Sequence, residues 1–228
     1  MPILEAKDLT VKQGETLALN HFNLSVDQGE VVALIGHNGA GKSTFFKTVM
    51  AMIEEQSGTV IVNGRKKDDS VYKTGLVYIP EHPFLLPELT VYQHFQLYLE
   101  SYHQSMDEAK GRISALAERF EIKDQLDEFP LTLSKGMKQK VQLIAGLIVD
   151  TPVLLVDEPF VGLDVYAQET LIDIFKEKKK QNQTIILTTH QFERLDQIMD
   201  RYVMLQQGMI VKEGQVDELT DIKRRFEE

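Results

Sequence analysis

The chain of 228 residues contains no cysteine, which excludes disulfide bonds, thiolate metal sites and cysteine nucleophiles. Long apolar runs are also missing. The longest are short stretches such as "VVALI" (31–35) and "LIAGLIV" (143–149). A transmembrane helix needs about 20 apolar residues, so the sequence predicts no membrane-spanning segment.

Positive charge is scarce. The chain has 25 Lys and Arg against 35 Asp and Glu, a formal net charge of −10. This balance argues against a nucleic-acid partner, because phosphate backbones require clustered Lys and Arg. The first residues, "MPILEAKDL", lack the basic region and long apolar stretch of a signal peptide. We therefore expect a cytoplasmic protein that, if it serves a membrane, docks on its surface.

Strand and helix patterns alternate at both ends of the chain. Strands are predicted at 3–9, 22–26, 30–36, 58–64, 75–79, 153–157 and 184–189, with a hairpin over 202–214. Helices are predicted from Lys42 to about Met52, from about Val165 to Lys180 and from about Gln191. Between Thr90 and about Leu147 the pattern is mostly helical. This order predicts an α/β core with a small helical lobe.

The stretch "GHNGAGKST" fits the pattern G-x-x-x-x-G-K-[ST] and lies between an apolar strand and an amphipathic helix. Glycines let backbone N–H groups close around phosphates, Lys42 neutralises phosphate oxygens and the Ser43 hydroxyl is a ligand for Mg²⁺. A glycine-rich turn without a ligand is the alternative. The candidate nucleotide-binding residues are Gly36, His37, Asn38, Gly39, Ala40, Gly41, Lys42, Ser43 and Thr44.

Two adjacent acids, Asp157 and Glu158, follow an apolar strand. Neighbouring strand side chains point to opposite faces, so one acid can meet Mg²⁺ while the other faces the γ-phosphate. Acids that merely begin a turn are the alternative. His190 follows another apolar strand, where parallel strands deliver functional groups, although a lone histidine is more often structural.

A second anion site is indicated by "LSKGMKQKV" (133–141), where a serine and a lone glycine precede a helix with basic residues. The free N–H groups of a helix N-terminus favour an anion. An N-cap without a ligand is the alternative for this segment.

Taken in order, these segments resemble the nucleotide-binding domain of ABC-type ATPases. The matching stretches are the P-loop (36–44), "LSKGM" at the signature position (133–137), "LLVDEP" (154–159), "GLD" (162–164) and the switch residue His190. The residues within these motifs are most similar to those of Ecs-type exporter ATPases.

The resemblance implies a P-loop NTPase (RecA-like) α/β core with an N-terminal antiparallel β subdomain and a small inserted α-helical subdomain. Within a single domain over 1–228, we expect residues 1–84 and 150–228 to form the core with its β subdomain. Residues 85–149 are expected to form the helical subdomain.

The resemblance also implies a head-to-tail dimer. Ser134 and Gly136 of one copy would contact the γ-phosphate of ATP held by Lys42 of the other. One chain would then carry two half-sites, and Asp164 would communicate across the dimer.

In the implied reaction, Glu158 orients or deprotonates the attacking water, and Asp157 with Ser43 holds Mg²⁺. His190 contacts the γ-phosphate. Catalysis is assigned to Glu158, His190 and Lys42, and the expected cofactors are ATP and Mg²⁺.

The signature departs from the usual Leu-Ser-Gly-Gly-Gln at Lys135 and Met137, and we expect both to be tolerated because Ser134 and Gly136 remain. Glu81 stands where the family has Gln after Pro, as a third candidate metal ligand. A carboxylate cannot donate a hydrogen bond and adds negative charge beside the γ-phosphate, so the chain should depend more tightly on Mg²⁺ and Glu81→Gln should lower the Mg²⁺ requirement. Gln13 replaces the aromatic that stacks on adenine, which predicts weak ATP affinity or poor discrimination against GTP.

The resemblance makes the chain the ATPase subunit of a transporter. Separate permease subunits would dock near Glu81 and residues 82–102, placing the chain on the cytoplasmic face of the cell membrane. Export of an unidentified substrate rests on the resemblance alone. The alternative is a soluble ABC ATPase, for example in iron–sulfur assembly.

Overall fold

A computed structural model describes residues 1–189 and 192–216 of the chain. The chain forms two compact units. The first comprises 1–78, 151–158 and the part from 175 onward, and the second comprises 79–150 and 159–174. Whether the domain boundaries lie at 84 and 150, as expected from the sequence, stays a prediction.

The first unit is built on two sheets. The smaller contains β1 (Leu4–Gln13), β2 (Thr16–Val26), β4 (Ser57–Val62) and β5 (Arg65–Lys66). The larger contains β3 (Val31–Ile35), β6 (Leu76–Ile79), β7 (Val153–Val156), β8 (Thr184–Thr188), β9 (Arg201–Gln206) and β10 (Met209–Gln215). Their strand orders are β2-β1-β4-β5, fully antiparallel, and β10-β9-β3-β8-β7-β6.

Strands β3, β7 and β8 are buried along their whole length. Their uninterrupted apolar sequences fit this position, because a parallel strand in the middle of an α/β sheet is covered on both faces. They pair in parallel, with Leu34 opposite Thr188 and Val156 opposite Leu187. The carboxyl ends of these three strands therefore meet at one edge of the larger sheet.

Helix α1 (Lys42–Val49) follows β3 and carries two aromatic residues into the core. Phe45 and Phe46 are fully buried, and the Phe45 ring centroid lies 4.8 Å from that of Phe22 on β2. The helix is shorter than predicted. It ends at Val49 because Ala51 adopts a left-handed backbone conformation, with φ of 54°, which an α-helix does not accommodate.

The second unit contains helices α2 (Val91–Ser101), α3 (Met106–Arg119), α4 (Lys135–Leu147) and the first part of α5 (Val165–Lys180). Thr90 begins α2 with a reciprocal capping box to Gln93. Short 3-10 helices span Tyr72–Gly75, Lys123–Gln125, Pro130–Thr132 and Phe192–Gln197. In the described part of the chain, no helix has the length and apolarity to cross a bilayer.

The predicted fold class is confirmed: an α/β core, an antiparallel β subdomain and inserted helices are all present. The stretch from 90 to 147 is mostly helical, as predicted, and contains α2, α3 and α4. Two local predictions need correction. Strand β1 continues to Gln13 and β2 begins at Thr16, because the two pair as one long hairpin. The helix expected from Gln191 is a 3-10 helix over Phe192–Gln197.

Candidate functional site

The P-loop lies in the first unit, between β3 and α1, at the edge where the parallel strands end. Gly36 follows the last residue of β3 and Gly41 precedes the first residue of α1. The loop turns through a hydrogen bond from the Ala40 N–H to the His37 carbonyl, 3.0 Å long. His37, Asn38 and Gly39 are exposed, whereas Gly36, Ala40 and Gly41 are buried.

Two glycines of the loop are required by close packing. A Cβ at Gly36 would lie 2.4 Å from the Leu205 carbonyl oxygen, and one at Gly41 would lie 2.5 Å from the Ala18 carbonyl oxygen. Both positions also have positive φ, 153° and 111°. The loop thus presses its backbone against β9 and β2, which fixes the direction of its N–H groups.

Lys42 is only 6% exposed although it is a lysine. Its Nζ donates to the carbonyl of Gly36 at 2.6 Å and to that of His37 at 3.3 Å. Among the described residues, no side chain caps the first turn of α1. The ammonium group and the helix N-terminus together give the loop positive potential, which suits a phosphate.

Asp157 follows β7 and is 3% exposed. Its Oδ1 accepts a 2.6 Å hydrogen bond from the Thr188 hydroxyl, and its Oδ2 accepts a 3.2 Å hydrogen bond from the Tyr78 hydroxyl. Hydrogen bonds donated to both oxygens hold the carboxylate in one orientation. Each oxygen has a second lone pair with which it can bind a cation.

Glu158 is 7% exposed and has φ of 46°. Positive φ in a residue with a long side chain costs of order 1–3 kcal/mol and persists only where the surroundings hold it. The Glu158 N–H donates to the Thr188 hydroxyl at 2.9 Å, which supplies such a restraint.

The signature segment belongs to the second unit and opens α4. Ser134 is its N-cap, and the Ser134 hydroxyl accepts a hydrogen bond from the Met137 N–H at 3.2 Å. A Cβ at Gly136 would lie 3.3 Å from the Gly162 carbonyl oxygen, tighter than most Cβ contacts. The start of α4 therefore packs closely against the loop that carries Asp164.

Asp164 precedes α5 and is held from two sides. Its Oδ1 accepts from the Ala167 N–H at 2.8 Å, and its Oδ2 lies 3.1 Å from the Nζ of Lys140, which is largely buried on α4. The Ala167 N–H first, and then the Lys140 ammonium, hold the pKa of the Asp164 carboxyl below its usual 3.8. The "GLD" loop and the signature helix are thus joined by an ion pair.

The remaining predicted residues are placed less centrally. Gln13 is exposed at the end of β1, on the hairpin whose Ala18 touches the P-loop. Glu81 is half-buried and belongs to the second unit, so its position beside the phosphates stays a prediction. His190 lies outside the described residues.

The structure brings the P-loop, Asp157 and Glu158 together at one sheet edge in the first unit, and Ser134, Gly136 and Asp164 together in the second. Sequence reasoning missed Thr188, Tyr78 and Lys140. The only signal for Thr188 was that it is one of three threonines in the otherwise apolar stretch "TIILTT". Lys140 lies in the basic run of the signature segment. The signal for its burial was the apolar stretch of α4 that follows it directly.

Comparison with known proteins identifies the family. The model of the family described as ABC transporter matches residues 19–161. The ABC-type transporter ATP-binding protein EcsA of Bacillus subtilis (strain 168) is 31% identical over 97% of this chain and 90% of its own length. The SkfA peptide export ATP-binding protein SkfE of that strain is 27% identical, over 93% of this chain and 89% of its own.

An import protein is also similar. The methionine import ATP-binding protein MetN 1 of Paraburkholderia xenovorans (strain LB400) is 33% identical over 90% of this chain and 61% of its own length. Similarity in sequence therefore extends to proteins named for either direction of transport.

Two solved structures agree. An ATP-binding subunit of an ABC transporter is 37% identical, with a TM-score of 0.90 over 98% of this chain and 93% of that one. The protein cbiO1 from Clostridium perfringens, part of the ABC transporter complex cbiONQ, is 26% identical, with a TM-score of 0.80 over 99% of this chain and 93% of its own. The resemblance read from the motifs is confirmed: the chain belongs to the ABC transporter family, as an ATP-binding, ATP-hydrolysing subunit.

Proposed function

We propose that the chain drives export of a substrate through separate membrane-spanning permease subunits, by ATP-dependent head-to-tail dimerisation of two copies. The observation that carries this proposal is the gathering of a P-loop lysine and two buried acids at one edge of the parallel sheet. Hydrolysis of a bound nucleoside triphosphate needs phosphate binding, charge neutralisation and an oriented water, and these residues supply all three.

Phosphate binding is assigned to the loop from Gly36 to Thr44. Its buried glycines leave the backbone no room to rotate, so its N–H groups are preorganised rather than recruited by the ligand. Lys42, already inside the loop, would exchange carbonyl contacts for phosphate oxygens. Phosphate oxygens carry negative charge and carbonyl oxygens do not, so the ammonium group is attracted more strongly to the phosphate and this exchange favours binding.

The residues present fit Mg²⁺, which would neutralise charge on the phosphates. In the described ranges, no three His, Asp or Glu side chains converge as a metal cage. Mg²⁺ does not need one, because it typically binds one or two carboxylates and takes other ligands from phosphates and water. Asp157 and the part-buried Ser43 suit that mode, and Glu81 is a further candidate.

Glu158 is assigned as the residue that orients or deprotonates the attacking water. Its burial and unusual backbone conformation set it apart from a surface acid that begins a turn. We assign His190 to the γ-phosphate from the sequence motif alone.

The second half-site is assigned to Ser134, Gly136 and Asp164. The exposed Ser134 caps the N-terminus of α4, which carries partial positive charge. These residues lie together in the second unit, and in the proposed dimer they would close over ATP held by the other copy.

Permease docking is assigned to the region of Glu81 and residues 82–102. Phe84 is 73% exposed there, and Leu97 on α2 is 41% exposed. Exposed apolar side chains of this size mark a protein-binding surface where they form one contiguous patch, which is what we propose for this region. Similarity to SkfE, which is named for peptide export, favours export, and similarity to a methionine import protein is the main argument on the other side.

Glu158→Gln tests the proposal. This substitution keeps size and burial but removes the base, so ATP should still bind while turnover falls by at least about 100-fold. The variant should accumulate as an ATP-bound dimer in size-exclusion chromatography. A Glu158→Gln protein that turns over ATP normally would contradict the assignment.

Purification from membranes tests the transport role. We expect the chain to co-purify with an integral membrane protein, and Phe84→Asp to reduce that association while leaving the ATP affinity of the isolated chain unchanged. Recovery of the chain with no membrane protein, but in a soluble assembly complex, would favour the iron–sulfur alternative.

A further inference from the structure

We propose that Thr188 is a positioning residue for ATP hydrolysis, because its one hydroxyl group holds both Asp157 and Glu158. The inference rests on the proposed roles of those two acids. It adds a residue of strand β8 that itself touches neither phosphate nor metal in the proposed mechanism.

The direction of the two hydrogen bonds follows from chemistry. The Glu158 N–H can only donate, so at 2.9 Å the Thr188 oxygen accepts from it. The single hydroxyl hydrogen is then directed to Asp157 Oδ1, 2.6 Å away. Thr188 is fully buried, so water does not compete for either bond. One hydroxyl therefore fixes the orientation of a carboxylate and of a peptide group.

The bond to Glu158 restrains a strained backbone. With φ of 46°, Glu158 would relax toward negative φ if its N–H lost its acceptor. Such a rotation would redirect the carboxylate that faces the attacking water. A displacement of about 1 Å at a reacting group can cost on the order of 100-fold in rate.

Thr188 is itself fixed by the sheet. It pairs with Leu34, two residues before the P-loop glycine Gly36. Its β-branched side chain has restricted rotation about the first side-chain bond. Thr188 therefore fixes the positions of both acids relative to β3, the strand that leads into the phosphate-binding loop.

The test compares Thr188→Val, which keeps the shape and loses the hydroxyl, with Thr188→Ser, which keeps the hydroxyl. Thr184→Val is a matched control. Thr184 lies on the same strand, is equally buried, and its hydroxyl also accepts a backbone N–H, from Gly29 at 2.9 Å. It stands at the opposite end of β8, about 13 Å away at the usual rise per strand residue.

We expect Thr188→Val to lower kcat by about 10- to 100-fold and to raise the Mg²⁺ concentration for half-maximal activity, as loss of a partner that orients a metal ligand usually does. Binding of a fluorescent ATP analogue in the presence of EDTA should change by less than about twofold, because the P-loop is untouched. Thr188→Ser should stay within about threefold of wild type. Thr184→Val should lower the unfolding midpoint without changing kcat or the Mg²⁺ requirement.

The proposal is overturned if Thr188→Val keeps kcat within twofold of wild type, or if Thr184→Val loses as much activity. Should the valine variant fail to fold, Thr188→Ala, which also removes the hydroxyl, replaces it with the same expected losses and the same contradicting outcomes. Tyr78→Phe is the comparison for Asp157 alone. It removes the hydroxyl that donates to Asp157 Oδ2 and leaves the Glu158 bond intact. It should raise the Mg²⁺ requirement with little effect on kcat at saturating Mg²⁺. If kcat fell as much as the apparent affinity for Mg²⁺, the two acids would not be restrained separately.

Failure of the proposed function would look different. It would appear in the wild-type protein, as absent turnover or as turnover that Glu158→Gln leaves unchanged. In that case nucleotide binding is titrated with Mg²⁺, which requires no turnover. Thr188→Val should need more Mg²⁺ than wild type for half-maximal binding if Thr188 orients Asp157.

Discussion

The P-loop edge and the signature segment differ in how far their side chains are enclosed. At the P-loop edge Lys42, Asp157 and Glu158 are each less than 8% exposed. In the signature segment Ser134 is exposed, and 58% of the Asp164 side chain is open to solvent. The side chains of the P-loop edge are enclosed by their own unit, whereas those of the signature segment are exposed to solvent.

The difference has an energetic consequence. A buried charge must be matched by fixed partners, and the carbonyls around Lys42 and the hydroxyls around Asp157 are such partners. Exposed groups need no such matching, because water satisfies them. We therefore expect substitutions at the P-loop edge to lower ATP binding (Lys42) or turnover (Glu158) through contacts made within a single copy, and substitutions in the signature segment to act only where a second copy takes part.

The largest expected effect is that of Lys42→Ala. Removing a buried cation that faces phosphate costs several kcal/mol, which lowers nucleotide affinity by at least about 100-fold. Isothermal titration with ATP measures it. Lys47→Ala, which removes an exposed lysine from the last turn of the same helix, is the control and should bind normally. Equal affinities for the two variants would show that the loop does not hold the phosphates.

Ser134→Ala is expected to have the next largest effect, and on turnover only. ATPase activity should fall at least tenfold, whereas ATP affinity of the dilute chain should not change. Loss of an N-cap also costs about 1 kcal/mol of stability. Thr90→Ala, which removes the N-cap of α2 in the same unit, controls for that cost.

Dilution sharpens this test. Specific activity should fall as the wild-type protein is diluted below its dimerisation constant. Full activity in a dilute monomer, or normal turnover in Ser134→Ala, would remove the distinction between the two regions.

Gln13→Tyr is expected to raise ATP affinity by about tenfold. Gln13 is exposed on the hairpin that contacts the P-loop, and a base stacked on an aromatic ring gains roughly 1–3 kcal/mol. Gln13→Leu adds apolar area without a ring and should gain much less. Competition between ATP and GTP measures the effect, and strong ATP preference in the wild type would contradict the predicted weak base recognition.

The position of the P-loop edge in the fold could be predicted from the sequence, because local backbone features determine it. Glycines at fixed spacing, an apolar strand and an amphipathic helix are local features, and they located Gly36, Lys42 and Ser43. Asp157 and Glu158 were found because strand ends in an α/β sheet share an edge. The family resemblance supplied the order of motifs that these local features could not.

The sequence could not predict which side chains form hydrogen bonds or ion pairs between different strands and loops. Thr188 acts on Asp157 and Glu158 across 31 and 30 residues of chain. No periodicity encodes which hydroxyl of "TIILTT" faces the acids, because that depends on sheet register. The early end of α1 at Val49 likewise follows from the backbone at Ala51, where the apolar pattern continues unbroken to Ile53.

The smallest expected effect concerns the ion pair of the exposed region. Lys140→Met removes the second of the two main causes that lower the Asp164 pKa, so that pKa should rise. It should stay below 3.8, because the first cause, the Ala167 N–H, remains. Turnover should change by only a few-fold, and Lys140→Arg should restore it.

A carbon-detected NMR titration of the Asp164 carboxyl measures this shift. Lys138→Met removes the same charge from the same helix and should leave the Asp164 pKa unchanged. Because the pKa is lowered on folding, the contribution of Asp164 to stability is complete above 3.8 and is lost as pH falls through its folded value. Wild type and Lys140→Met should therefore differ less in unfolding free energy as the solution is acidified, and a difference that stays constant with pH would mean that Lys140 contributes through packing and not through its charge.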